Sequence, residues 1–135
     1  METGDIMIFL DTSFLISLFG NQQKNHKNAK KIYKKYEKIE PNKIINGVVL
    51  AETLNQSNKC QTEPYELYKT LKQDTNIVCI EKEDYEYGLK LNKHYNNSIN
   101  YKDCLILKTM LDYRINKIMS FDRDFDKIDG ITRIH

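Results

Sequence analysis

Apolar positions along this chain follow two alternating rhythms. Short continuous runs read as strands covered on both faces: IMIFL at 6–10, KIIN at 43–46, NIVCI at 76–80 and KIMS at 117–120, with GITRI at 130–134 as a fifth. Between them the apolar residues recur at three- and four-residue steps, the period of an amphipathic helix. Thr12–Phe19 reads as a short helix closed by Gly20. Ala29, Ile32, Tyr33, Tyr36 and Ile39 form the inner stripe of a second helix, which Pro41 ends. VVLAETLNQ (48–56) is a third, and a fourth runs from about Glu63 to Lys72 with Pro64 in its first turn. Two more cover Glu81 to about His94 and Tyr101–Arg114.

Strands alternating with helices predict an α/β fold, a three-layer sandwich. Its core is a central, mostly parallel sheet of four to five short strands flanked by helices. With no internal repeat and no Pro- or Gly-rich linker, residues 1–135 are expected to form one domain. In such sheets ligands bind outside the carboxyl ends of the strands. That rule draws attention to four acids.

Asp11 follows the strand IMIFL, and Asp122 follows KIMS, so both stand at carboxyl ends of strands expected to be neighbours. Glu52 shares a helix face with Val48 and Val49, and Asp103 extends the stripe of Ile106, Leu107 and Met110. Each acid has an ordinary alternative: a helix cap for Asp11, a half-exposed position for Glu52, a first-turn acid favoured by the macrodipole for Asp103, a turn former for Asp122. Taken together they imply convergence, because ionised carboxylates buried near one another require a compensating cation. Oxygen-only donors select hard divalent ions, Mg²⁺ or Mn²⁺.

Composition narrows the remaining choices. The 40% apolar and 30% charged residues suit a soluble globular chain, and no apolar run approaches the roughly 20 residues of a membrane span. The N-terminal METGDIMIFLD has no basic region and no cleavage site, so no secretory signal is expected. Cys60, Cys79 and Cys104 are odd in number and widely spaced, which fits a reducing cytoplasm rather than a disulfide or zinc framework. His26, His94 and His135 lack metal-ligand spacing and are expected at the surface. The net charge is only +2, but residues 22–40 hold seven Lys against two Glu. That segment reads either as a phosphate-attracting surface or as a solvated helix face. Nucleotide-cradling stretches of the G-x-x-x-x-G-K-[ST] or G-x-G-x-x-G type are absent, as is G-x-S-x-G. An Asp-nucleophile phosphatase would need a second Asp two places after Asp11, where Ser13 stands.

Four blocks, IFLDTSFLI, VVLAETLNQ, NYKDCLILKTML and IMSFDRDFDKIDGI, each hold one of these acids. In that order and spacing they resemble the PIN domain, the nuclease fold of many bacterial and archaeal VapC-type toxins. The resemblance covers nearly the whole chain. It implies that Asp11, Glu52, Asp103 and Asp122 form an acidic quartet holding one or two divalent ions. It implies supporting roles for Ser13, beside the metal site, and for Ser120, whose hydroxyl fixes the loop before the last acid. Asp124 is expected outside the ligand set, as a supporting residue or cap, and Phe125 as an inward anchor of the turn. The implied activity is metal-dependent endoribonuclease cleavage of RNA, by a homodimeric toxin silenced by a cognate antitoxin. A stand-alone nuclease of RNA processing or decay, or a non-catalytic binding module, are the alternatives. Lys24, Lys27, Lys30, Lys31, Lys34, Lys35 and Arg123 are candidates to grip the RNA backbone, although Arg123 can instead pair with a neighbouring carboxylate. Tyr33 and Tyr36, on the helix stripe, are expected in the core rather than against bases.

Overall fold

The computed structural model describes residues 7–39 and 42–135. Five strands, β1 (Met7–Leu10), β2 (Asn42–Asn46), β3 (Asn76–Val78), β4 (Lys117–Met119) and β5 (Thr132–Ile134), form one sheet in the order β3-β2-β1-β4-β5. Every pairing is parallel. Six helices flank it: α1 (Thr12–Phe19), α2 (His26–Glu37), α3 (Gly47–Asn55), α4 (Pro64–Asp74), α5 (Lys82–His94) and α6 (Tyr101–Tyr113). Parallel strands need crossovers, and helices supply them.

β1 is the central strand, and its Ile8, Phe9 and Leu10 have no exposed surface. This explains the unbroken apolar run, since both faces meet helices. From β1 the chain lays β2 and β3 on one side, and later β4 and β5 on the other. The direction of winding therefore reverses between β1 and β4, the place where open parallel sheets leave a crevice beyond their carboxyl ends. Phe9 pairs with Ile118 and Leu10 with Met119, and the Asp11 N–H donates to Met119 O at 3.0 Å. The neighbourhood expected for Asp11 and Asp122 is thus set by backbone pairing.

Element ends differ from expectation in a few places. Ile6 and Pro41 lie outside the described residues. α2 stops at Glu37, and Ile39 is 56% exposed, so the apolar stripe ends one turn earlier than its spacing suggests. Tyr33 and Tyr36 do pack against the core. His26 is not a plain surface residue: its Nδ1 lies 2.9 Å from Ser17 O and joins α2 to α1. Two 3-10 turns, Ser57–Cys60 and Arg123–Lys127, were not expected, being too short to show a period.

Gly20 ends α1 for a different reason from the one its type suggests. Its φ is −95°, ordinary for any residue, so no left-handed cap is involved. A Cβ there would instead stand 2.5 Å from Lys59 O and 2.8 Å from Ile16 O. The 3-10 turn after α3 approaches the end of α1 through this missing side chain. Gly20→Ala is expected to cost about 1–3 kcal/mol, the usual penalty of over-packing against backbone that must shift. Urea unfolding measures it, and a midpoint equal to wild type would mean that the contact yields freely.

Candidate active site

At the carboxyl end of β1, Asp11 is 1% exposed and caps α1, its Oδ1 accepting the Thr12 N–H at 2.8 Å. Its other oxygen accepts from Ser120 Oγ at 2.7 Å and from Ser13 Oγ at 3.3 Å. The two hydroxyls also take backbone N–H groups from the loop after β4. Ser13 Oγ accepts from Phe121 N at 3.0 Å, and Ser120 Oγ from Asp122 N at 3.0 Å. A small hydroxyl relay therefore ties the start of α1 to the loop bearing Asp122. Burial pushes the Asp11 carboxyl above its usual pKa, against the opposing pull of Lys102, Ser120, Thr12 and Ser13.

Asp103 is in the first turn of α6, yet it does not cap that helix. Asn100 does, accepting the Asp103 N–H at 2.8 Å. The Asp103 carboxylate is left wholly buried, and neither of its oxygens accepts a hydrogen bond. Burial, opposed by Lys102 and reinforced by Asp11 and Asp122, pushes its pKa up to about 7. A native interior rarely tolerates such an orphan acid without a role for it.

One oxygen each of Asp103, Asp122 and Asp124 lie within 4.8 Å of one another. Asp124 thus joins the acids, whereas the sequence placed it outside the ligand set. The capping position belongs to Asp122, whose Oδ1 accepts the Asp124 N–H at 2.9 Å. Phe125 is buried behind this turn, as expected of its anchor. Asp124 also pairs with Lys127 at 2.9 Å.

Glu52 departs further from expectation. On α3 the inward positions are Val49 and Thr53, and the Glu52 side chain is 36% exposed. It stands at the rim of the site and reaches inward through Lys102. That residue was missed by the sequence, where a lysine beside an acid is unremarkable. Its Nζ lies 3.2 Å from Glu52 Oε1, 3.5 Å from Asp103 Oδ1 and 3.8 Å from Asp11 Oδ1. Burial works against its charge, but Asp11, Asp103 and Glu52 together hold its pKa above the usual lysine value.

A second residue missed by the sequence, Asn46, sets the spacing of the two helices. Fully buried at the end of β2, it accepts the Val49 N–H through Oδ1 at 3.1 Å and so caps α3. Its amide donates across to α6, to Thr109 Oγ1 at 3.0 Å and Leu105 O at 3.4 Å.

Glu52 and Lys102 line a cleft of about 340 Å³ together with Ser13, Gln56 and Phe121. An adjoining cleft of about 630 Å³ shares Asn25 and Phe121 with it, and adds Lys24, Arg123, Arg133 and His135. Lys24 and Arg123 therefore share a cleft that also holds Asp126 and adjoins the one lined by Glu52 and Lys102. Lys27, Lys30, Lys31, Lys34 and Lys35 are exposed on α2 and line neither cleft. Among the described residues no helix is long and apolar enough to cross a membrane.

This donor set fits a hard divalent cation. It offers only oxygens, three carboxylates converge, and the buried Asp103 oxygens accept no hydrogen bond, with the Lys102 ammonium at 3.5 Å as their counter-charge.

Comparison with known proteins gives a consistent match. The family model of the PIN domain matches residues 8–131. Ribonuclease VapC6 of Methanocaldococcus jannaschii is 28% identical over 152 residues, covering 94% of this chain and 95% of that protein. Among solved structures, Mycobacterium tuberculosis VapC20, described as a sarcin-ricin loop cleaving toxin, superposes with a TM-score of 0.79 at 20% identity. It covers 95% of this chain and 98% of its own. A toxin–antitoxin complex from Klebsiella pneumoniae gives a TM-score of 0.72 at 21% identity, covering 93% and 95%. At these identities the solved structures speak for the fold.

Proposed function

The chain belongs to the PIN domain family, and from that premise we propose that it is a dication-dependent endoribonuclease serving as the toxin of a toxin–antitoxin pair. The observation that carries this reading is the buried, hydrogen-bond-free Asp103 carboxylate, set among Asp11, Glu52, Asp122 and Asp124 at the winding reversal of the sheet. The relatives support the RNA substrate and the antitoxin partner, one being named a ribonuclease and another solved as a toxin–antitoxin complex.

The residues that would hold Mg²⁺ or Mn²⁺, as one ion or two, are Asp103, Asp122 and Asp124, with Asp11 and Glu52 joined to Asp103 through the Lys102 ammonium. A bound dication supplies Lewis-acid polarisation of the phosphodiester and lowers the pKa of water at the site. The chain's own contribution is positioning. Asn100 caps α6 and so leaves the Asp103 side chain free, while Ser13 and Ser120 hold Asp11 against the Asp122 loop. Lys24 and Arg123 in the adjoining cleft offer positive charge to the RNA backbone, and Phe121 between the two clefts offers a face to a base.

The test is incubation of total RNA with Mg²⁺ or Mn²⁺ and either wild type or Asp11→Asn. Cleavage by the wild type and at least about 100-fold less by the variant is expected, the scale on which charge-stabilising groups act. Equal cleavage by both would place the activity elsewhere.

A further inference from the structure

Lys102 occupies the middle of the acids in the way a cation would. We infer that it is a tethered counter-ion, whose ammonium must leave the Asp11–Glu52–Asp103 side of the site before a dication can be shared there. The inference rests on reading these acids as a dication site.

The geometry is specific. Three carboxylates from three separated segments, the end of β1, α3 and α6, each have an oxygen within 3.8 Å of one nitrogen. Asp122 and Asp124 each bring an oxygen within 4.8 Å of one of Asp103, so Asp103 belongs both to this group and to the one that Lys102 joins. The Asp11–Glu52–Asp103 group is already neutralised by the chain itself.

The side chain is built to exchange. Lysine carries a compact charge on a flexible four-carbon stem. The Lys102 side chain is 30% exposed and lines the same cleft as Glu52 and Gln56. It can swing outward by stem rotation alone, leaving the backbone of α6 in place. Once outside, it remains in the groove through which an anionic RNA backbone would pass. Without a dication the ammonium restrains mutual repulsion of the acids; with one, the same ammonium becomes a like charge at contact distance and is expelled.

Ion binding without RNA tests this. Mn²⁺ is titrated calorimetrically at pH 7.5 into wild type, Lys102→Met and Lys102→Arg, and each metal-free protein is melted in parallel. A charge at this range alters a carboxylate's affinity for a competing cation by about tenfold or more. Lys102→Met should accordingly bind Mn²⁺ about tenfold tighter than wild type. Its metal-free melting temperature should fall and be restored by saturating Mn²⁺. Lys102→Arg keeps a competing charge and should bind within about threefold of wild type. If Lys102→Met does not fold without metal, Lys102→Gln carries the same comparison. Mn²⁺ affinity equal to or weaker than wild type in the neutral variants overturns the inference. That result leaves the ribonuclease reading standing, whereas a wild type that exchanges ions as described but cleaves no RNA would overturn that reading alone.

Discussion

Replacing Asp103 by Asn should make the metal-free protein more stable at pH 7.5 while reducing its RNA cleavage at least about 100-fold. The two effects have one cause. Asp103 is fully buried, accepts no hydrogen bond and has a pKa of about 7 in the folded chain. Unfolding returns it to its ordinary value of 3.8. Between those two values the folded state holds more protons than the unfolded state, so stability falls as pH rises through the window and levels off above it. The shift is about three pH units, and at about 1.4 kcal/mol per unit its full worth is near 4 kcal/mol. That value already contains the pull of Lys102, and the Asn amide is in turn buried without partners, which leaves about 1–3 kcal/mol of net stabilisation and a few degrees of melting temperature. Below about pH 3, where the acid is protonated in both states, wild type and variant should melt together. Added Mn²⁺ should reverse the order at pH 7.5, since only the carboxylate gains from the ion. An Asn variant less stable than wild type throughout this range, in the absence of metal, would mean that Asp103 is a structural acid.

Asn46→Ala should be the costliest single change among the residues that shape the site without facing its acids. The side chain caps α3 and donates twice toward α6, all without solvent. Losing the cap costs about 1 kcal/mol. Leaving buried Thr109 Oγ1 and Leu105 O without the Asn46 amide adds about 1–3 kcal/mol. Unfolding in urea should therefore show a loss of about 2–4 kcal/mol. Because Asn46 links the helices of Glu52 and Asp103, Mn²⁺ affinity should fall with it. Asn46→Ser keeps a capping oxygen and should recover about 1 kcal/mol. A loss below about 0.5 kcal/mol for the Ala variant would show that α3 and α6 hold their spacing by packing alone.

Much of this architecture was legible in the sequence because it is written in period and position. The apolar runs of β1 and β4 are too continuous for strands with a wet face, and the acid after each run falls at a carboxyl end. Parallel pairing then brings Asp11 and Asp122 together. Asp103 was legible from its place on the stripe of Ile106, Leu107 and Met110, all of which are buried with it. What escaped depends on side-chain reach rather than period. Glu52 sits on the margin of its helix face, and a margin cannot be told from an inward position by spacing alone. Asp124 lies in a turn whose short 3-10 geometry has no sequence rhythm, so its approach to Asp103 was hidden. Lys102 precedes Asp103 in the chain, and only the fold shows that its long stem carries the charge to two other segments. Asn46 read only as the last residue of the strand KIIN; its partner Thr109 lies 63 residues away.

Diffraction from crystals soaked in Mn²⁺, recorded at the manganese edge, tests the metal site most directly. An anomalous peak within coordinating distance of Asp103, shared with Asp122 or Asp124 and lost in Asp103→Asn, is the expected result. Manganese bound only elsewhere, with Asp103 still buried against the Lys102 ammonium, would contradict it.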